Sequence, residues 1–174
     1  MKNIAIHTCC APCLTAVQKW LKTDGFENTA YFYNPNIYPE GEYVKRYFVL
    51  KDYANIERLK LVFEFDNQKT DPGDCPNCYK ARLLKTAQYA KNNSLECFTT
   101  TLLISPYQNH ELLKETGEKI SEEAGVKFFY RDFRELYNES RKTSIELGLY
   151  RQKYCGCQKS RGGNKIVQTQ KVAA

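Results

Sequence analysis

Residues 3–13 read Asn-Ile-Ala-Ile-His-Thr-Cys-Cys-Ala-Pro-Cys. The apolar run at 3–7 is typical of a short buried strand, and Pro12 favours the first turn of a helix. The following residues repeat their apolar positions with a helical period, which predicts a helix over 12–22. This part of the chain is therefore predicted to be a strand, a loop with two adjacent cysteines, and a helix.

The same alternation continues along the rest of the chain. Strands are predicted at 29–33, 61–65, 97–104 and 127–130, and helices at 42–59, 76–92, 109–124 and 140–147. A βαβα pattern of this kind indicates an α/β fold in which helices cover a parallel sheet. We predict a single α/β catalytic domain over 1–160, followed by a basic C-terminal tail over 161–174.

Composition limits the class of protein. Of 174 residues, 42% are hydrophobic and 26% are charged, which is ordinary for a globular domain and excludes wholesale disorder. No apolar run approaches the roughly 18 residues of a membrane span. The apolar stretch at the start is too short for a signal peptide, so we expect a cytoplasmic protein without a membrane partner.

The predicted strands place polar and thiol-bearing segments at one edge of the sheet. The segments that follow the five strands begin at Cys9, Asn34, the loop to Cys75, Ser105 and Asp132. Ligands of such folds bind at the carboxyl ends of the strands, so this edge is the predicted site. Cys97 starts a strand instead, and we expect it to be an inert buried thiol at the opposite edge.

Seven of the eight cysteines fall in three groups, at 9, 10 and 13, at 75 and 78, and at 155 and 157. Eight cysteines in 174 residues are too few for a disulfide scaffold. Clustered thiols in a reducing compartment indicate metal or redox chemistry. Adjacent Cys9 and Cys10 cannot close an unstrained disulfide. The positive end of the helix near Pro12 favours thiolates at Cys10 and Cys13.

The spacing leaves three kinds of site open. The 65 positions between Cys10 and Cys75 do not fit a zinc ribbon, and seven thiols exceed the four of a structural zinc site. Four thiolates can hold one [4Fe–4S] cluster, with thiols to spare. Cys155-Gly156-Cys157 can ligate a metal or form a strained, easily reduced disulfide. Iron–sulfur, zinc and metal-free disulfide chemistry all remain interpretations.

Positive charge is concentrated at the end of the sequence. The net charge is +6, and the last 28 residues contain six basic residues and no acidic one. A polyanion such as RNA would bind this region, although a basic tail that only confers solubility has the same pattern.

Five ordered motifs resemble the cobalamin-independent epoxyqueuosine reductases, the QueH type. They are His-x-Cys-Cys-Ala-Pro-Cys (7–13), Tyr-Phe-Tyr-Asn-Pro-Asn-Ile (31–37), Cys-Pro-x-Cys-Tyr-x-x-Arg (75–82), Thr-Thr-Leu-Leu-Ile-Ser-Pro-Tyr (100–107) and Tyr-Arg-Gln-Lys-Tyr-Cys-Gly-Cys (150–157). The resemblance covers residues 3 to 160, nearly the whole chain. It implies an oxidoreductase of queuosine biosynthesis that reduces the epoxide of epoxyqueuosine in tRNA to the alkene of queuosine.

The resemblance also implies the cofactors and their ligands. A [4Fe–4S] cluster would lie on Cys9, Cys10, Cys75 and Cys78, a redox-active pair would be Cys155 and Cys157, and Cys13 aligns with a ligand of a second, mononuclear iron. The fold would resemble that of adenine-nucleotide hydrolases and ATP pyrophosphatases. Those enzymes have a glycine-rich phosphate loop after the first strand, where this chain has Thr8-Cys9-Cys10-Ala11-Pro12, so we expect no ATP site.

The expected partners are tRNA bearing epoxyqueuosine and an external electron donor. Candidate RNA contacts are the cations that flank the last cysteine pair and two tyrosines beside a strand end: Arg151, Lys153, Lys159, Arg161, Tyr33 and Tyr38. Candidate proton donors at the same edge are His7, Tyr107 and Asp132, although His7 is as readily a structural residue. The alternatives are a zinc-stabilised, non-catalytic RNA-binding module and a thiol–disulfide oxidoreductase.

Overall fold

The computed structural model describes residues 2–66 and 68–161. The strands are β1 (Lys2–His7), β2 (Phe26–Phe32), β3 (Lys60–Phe63), β4 (Cys97–Thr100) and β5 (Lys127–Phe128). The helices are α1 (Ala11–Thr23), α2 (Glu40–Glu57), α3 (Cys75–Asn92), α4 (His110–Ala124), α5 (Tyr137–Glu146) and the short α6 (Gln158–Arg161). The predicted tail lies outside the described residues except for Arg161, so the division of the chain at 160 stays a prediction.

The five strands form one parallel sheet in the order β3-β2-β1-β4-β5. Helix α1 packs against α2 and α5, and α3 packs against α4, so helices lie on the sheet in two groups. The predicted α/β class, with a parallel sheet covered by helices, is confirmed. The order is that of doubly wound sheets, in which ligands bind where the chain reverses direction across the sheet.

The central strands are buried on both faces, which is why they read as continuous apolar runs. Ile4, Ile6 and Phe98 are fully buried in the core between the helices. Helix α1 contributes Leu14 and Leu21 from its apolar face, and its proline lies in the first turn as predicted. This core fixes the ends of β1 and β4 side by side.

Several predicted boundaries are wrong, among them the start of β2, which lies at Phe26, and the end of β3, which lies at Phe63. The strand expected over 97–104 ends at Thr100, because the Thr100 hydroxyl accepts a hydrogen bond from the Leu102 amide and starts a 3₁₀ turn, Thr101–Ile104. Strand β5 ends at Phe128, two residues early. Helix α5 begins at Tyr137, three residues early, because a 3₁₀ turn leads directly into it.

The sheet topology brings the carboxyl ends of β1 and β4, and the candidate site residues that follow β1, close together. His7 at the end of β1 pairs with Thr100 at the end of β4, and these two strands flank the reversal of the sheet order. Cys9 and Cys10 follow directly. Cys97 begins β4 at the other edge and is buried, as expected. Among the described residues, no helix is both long and apolar enough to cross a membrane.

Candidate metal centre and nucleic-acid interface

The first cysteine group lies at the reversal point between β1 and β4. Cys10 is the N-cap of α1, and Cys13 lies in its first turn. The sulfurs of Cys9, Cys10 and Cys13 lie within 4.8 Å of one another. Within the described part of the chain this is the one set of three or more cysteine, histidine or acidic side chains that is close enough to share a metal ion. Three thiols at a helix N-terminus suit a thiophilic cation.

The environment of this group separates the acidities of its thiols. Hydrogen bonds from Cys10, Cys13 and Thr101 lower the pKa of Cys9 far below its usual range. Burial raises the pKa of Cys10 to about 12, and hydrogen bonds to the other two sulfurs raise the pKa of Cys13. The pKa shift of Cys9 is therefore opposite in direction to those of Cys10 and Cys13.

His7 supports this loop as a neutral, structural residue. It is fully buried, its Nδ1 accepts a hydrogen bond from the Thr100 hydroxyl at 2.9 Å, and its Nε2 donates to the Tyr33 carbonyl and to Asn34 Oδ1. Burial, with help from the charge of Arg82, lowers the pKa of His7 to about 3. Full burial and partners on both ring nitrogens favour the structural interpretation of His7 over a role as proton donor.

The second cysteine group opens α3. Asp74 caps this helix by accepting a hydrogen bond from the Asn77 amide at 3.1 Å, which fixes Cys75 and Cys78 in the first turn. Burial raises the pKa of both thiols, and the charges of Cys155 and Cys157 raise it further. The second and third cysteine groups are therefore neighbours.

The third group lies in the C-terminal cysteine loop, residues 150–157. Arg46 of α2 holds this loop by donating to the carbonyl oxygens of Tyr154 and Cys155 at 3.0 and 3.1 Å. The backbone amide of Gly73 donates to the Cys157 sulfur at 3.1 Å. All eight cysteines are free thiols. The loop is thereby placed against the segment that precedes Cys75.

The C-terminal cysteine loop also reaches the first cysteine group. Gln152 Nε2 donates a hydrogen bond to the Cys10 sulfur. The Arg46 guanidinium also interacts electrostatically with both Cys9 and Cys10. Three groups that are distant in sequence thus border one region at the carboxyl edge of the sheet. The structure also gathers Cys13 with Cys9 and Cys10, whereas Cys75 and Cys78 are not within 4.8 Å of that triad. A four-iron cluster spaces its thiolates more widely than one ion does, so the predicted ligand set stays a prediction.

Buried polar atoms without protein partners surround the same region. They are both side-chain atoms of Asn36, Oε1 of Gln152 and Nε of Arg82. Asn36 lies next to Gly156, Gln152 contacts Cys10, and Arg82 lies one helical turn after Cys78. Unsatisfied buried groups are rare and need a ligand or ion to offset their desolvation. Sulfur donors together with unsatisfied polar atoms fit a bound inorganic group.

A basic cleft of about 470 Å³ adjoins the C-terminal cysteine loop. We use this name for the space between the start of α2 and the loop, which is lined by Lys45, Tyr150, Arg151, Lys153, Tyr154 and Arg161, among others. The Lys45 ammonium lies 3.8 Å from the centre of the Tyr150 ring. Three of the predicted RNA-binding cations line the cleft, and Lys45 joins them from another part of the chain.

The other predicted RNA contacts lie apart from the cleft walls. Lys159 packs its side chain against Gly73. Tyr38 is 46% exposed, with the Arg161 guanidinium 5.9 Å from its ring centre. The prediction that Tyr33 stacks on a base is wrong in this structure, because Tyr33 is 1% exposed and its hydroxyl donates to Asp66. The alternation of strand faces continues one residue past β2 and buries it.

The two remaining proton-donor candidates differ in their surroundings. Hydrogen bonds from Arg134 lower the pKa of Asp132, so its carboxyl group is ionised at neutral pH and has no proton to give. Tyr107 is half-exposed at the same edge, and its ring packs edge-on against Tyr137. Tyr107 therefore stays the candidate.

Reasoning from sequence did not identify several side chains of the site. Arg82 stands four residues after Cys78, and that helical spacing could have placed it beside the thiol. Gln152 stands inside a quoted motif but carries no chemical signal of its own. Lys45 and Arg46 lie in a charged helix with no visible pattern, and only the tertiary fold brings them to the third cysteine group.

Comparison with known proteins gives a consistent result. A family model described as "Epoxyqueuosine reductase QueH" matches residues 4–162. An epoxyqueuosine reductase QueH of Dehalococcoides mccartyi is 36% identical over 164 residues, covering 89% of this chain and 90% of that protein. One from Thermotoga maritima is 37% identical over 175 residues, covering 90% and 89%.

Among solved structures, a predicted subunit of a tRNA methyltransferase from Methanocaldococcus jannaschii superposes with a TM-score of 0.45. It is 10% identical and covers 86% of this chain and 89% of that chain. This likeness is too distant to support any functional conclusion.

Proposed function

The chain belongs to the epoxyqueuosine reductase QueH family, and on that premise we propose that it removes the epoxide oxygen of epoxyqueuosine in tRNA. The observation that carries the proposal is the family match over residues 4–162, which contains all three cysteine groups. The product is the alkene of queuosine. The reaction consumes two electrons and two protons for each epoxide and releases the oxygen as water.

The cysteine groups supply the redox centre in this proposal. Cys9, Cys10, Cys75 and Cys78 hold a [4Fe–4S] cluster, which would pass electrons singly from an external donor to the redox-active cysteine pair. Cys13 holds a second, mononuclear iron. Support comes from the close sulfurs of Cys9, Cys10 and Cys13 and from the unsatisfied buried atoms beside each group.

Cys155 and Cys157 act as the redox-active pair. Two thiols that become a disulfide release two electrons and two protons, which is what one epoxide requires. The Gly73 amide donates to the Cys157 sulfur and holds it beside the segment that precedes Cys75. Electrons from the external donor then reduce the disulfide back to two thiols, and Tyr107 is the candidate that passes one of the two released protons to the departing oxygen.

The tRNA docks on the basic cleft. Arg151, Lys153 and Arg161 contact phosphates there together with Lys45, Lys159 approaches from the side of Gly73, and Tyr38 is available for base stacking. Because the cleft adjoins the C-terminal cysteine loop, phosphates bound in it would hold a neighbouring nucleotide close to Cys155 and Cys157. A tRNA substrate is consistent with the cytoplasmic location that we expect from the sequence.

The family match favours the reductase over both alternatives from the sequence, the zinc-stabilised RNA-binding module and the thiol–disulfide oxidoreductase. Anaerobic purification gives a first test, with iron and acid-labile sulfide as the expected content. Colourless protein with one zinc, or metal-free protein, would contradict the cofactor assignment.

The decisive experiment measures the mass of the modified nucleoside after incubating epoxyqueuosine tRNA with protein and a chemical reductant. We expect loss of one oxygen with the unmodified chain and with Cys97→Ser, whose thiol lies at the other edge of the sheet. Cys75→Ser is expected to be inactive. Equal activity of Cys75→Ser and Cys97→Ser would rule out the proposed role of Cys75.

A further inference from the structure

Arg82 is a buried cation without a carboxylate partner. It lies one turn after Cys78 on α3, is 2% exposed, and its Nε has no hydrogen-bond partner. Among residues 2–66 and 68–161, it forms no ion pair with any Asp or Glu. Charges this deeply buried are costly unless an anion offsets them.

The groups that face Arg82 are those of the candidate metal centre. Its charge opposes the rise in the pKa of the Cys78 thiol that burial causes. It acts in the same direction on Cys75, and from the other side its charge reaches His7, at the end of β1.

Arg46 shows how the same fold treats a buried arginine that has a structural role. It is 1% exposed, pairs with Glu42 at 2.6 Å, and donates to two carbonyl oxygens of the C-terminal cysteine loop. Its charge is therefore offset within the protein. Arg82 differs because, among the described residues, it has no carboxylate partner, and it lies one helical turn after Cys78.

We propose that Arg82 is a positioning residue whose guanidinium is the counter-cation of an anionic metal–thiolate centre that includes Cys75 and Cys78. The inference rests on the proposed cluster. A [4Fe–4S] centre on four thiolates carries net negative charge that grows on reduction, and its potential depends on nearby charge and on hydrogen bonds to sulfur. Arg82 stabilises the reduced form and holds the Cys78 sulfur in place.

The main test is the reduction potential of the loaded protein. In Arg82→Met we expect the ratio of reduced to oxidised centre at a fixed potential to fall at least tenfold, which is about 59 mV for one electron. Arg82→Lys keeps the charge and should recover most of the shift. Lys80→Met removes a charge from an exposed position of the same helix and should leave the potential unchanged. Equal potentials in Arg82→Met and the unmodified protein would overturn the proposal.

A second measurement excludes a purely structural role. Without metal, Arg82→Met should unfold at the same or a higher temperature than the unmodified chain, because the substitution removes an uncompensated buried charge. Arg46→Met is the contrast and should unfold at a lower temperature, since it leaves Glu42 and two carbonyls unpaired. A lower unfolding temperature for metal-free Arg82→Met would refute the inference. If the unmodified protein takes up no iron or sulfide, the proposed cofactor fails, and this comparison still decides the role of Arg82.

Discussion

The amide nitrogen of Gln152 lies 2.6 Å from the sulfur of Cys10, a hydrogen bond between residues 142 positions apart. Through it the C-terminal cysteine loop covers the start of α1, and Cys10 is left 1% exposed. The position of the third cysteine group is therefore coupled to that of the first. One side chain links the proposed redox pair to the proposed cluster.

Removing this link should expose Cys10. In metal-free Gln152→Ala we expect iodoacetamide to alkylate Cys10 at least several-fold faster than in the unmodified protein, because the side chain that covers the sulfur is gone. Tandem mass spectrometry of the peptide that contains Cys9 and Cys10 measures the rate for each thiol. Gln158→Ala, at an exposed position of α6, is the control and should not change it. Unchanged alkylation in Gln152→Ala would show that the contact does not shield Cys10.

Gly156 should not tolerate a side chain. Its φ is +114°, and an added Cβ would lie 2.8 Å from Cγ1 of Ile37. We expect Gly156→Ala to lose about 1–3 kcal/mol of stability from backbone strain, with a further cost from the clash. Gly148→Ala is the matched control, because Gly148 also has positive φ but open space around its Cα, and it should lose only about 1 kcal/mol. Urea unfolding of both variants measures the difference, and equal losses would contradict the close packing inferred at Gly156.

The basic cleft predicts a specific dependence of tRNA affinity on salt. Removing one phosphate contact by Arg151→Gln should weaken binding at low salt and reduce the slope of log K against log salt by about 0.7–0.9. Lys119→Gln should leave the slope unchanged, because Lys119 lies on α4. That helix packs on β5, the outer strand farthest from β3 and α2. Filter binding at several salt concentrations gives both slopes. A slope in Arg151→Gln equal to that of the unmodified protein would exclude Arg151 from the interface.

His110 should make stability depend on pH. Burial lowers its pKa below the 6.5 of an unfolded chain, the nearby Arg134 lowers it further, and Asp132 and the Ser105 carbonyl partly oppose the shift. The unfolded chain therefore binds more protons below pH 6.5, so stability is present above that pH and is lost on acidification towards the folded pKa.

We expect His110→Gln to lose less stability between pH 7.5 and 5.5 than the unmodified protein, by at most about 1.4 kcal/mol per pH unit. Denaturant midpoints at the two pH values measure this. His7 contributes to both proteins and cancels in the comparison. Parallel pH profiles would show that His110 does not titrate differently on folding.

Local sequence patterns predicted the strands and helices of this fold. Tertiary contacts determined the features that those patterns did not predict. Apolar runs located the strands, and the position of Cys9 after β1 located the edge that carries the site. Thr100 ended its strand early through a side-chain hydrogen bond that competes with the ladder, which no periodicity reveals. Arg46 is invisible in the sequence for a different reason, since its partners Tyr154 and Cys155 lie over one hundred positions away.

The order of the cysteine groups along the chain has a consequence for biosynthesis. A ribosome makes the sheet and the first two groups before Tyr154 and Cys155 exist, and the growing chain folds from its N-terminus. Until Arg46 donates hydrogen bonds to those two carbonyl oxygens, the region between the thiols is open on the side that the C-terminal cysteine loop later closes. If the chain holds the proposed cluster, iron and sulfide therefore have their widest access in that interval.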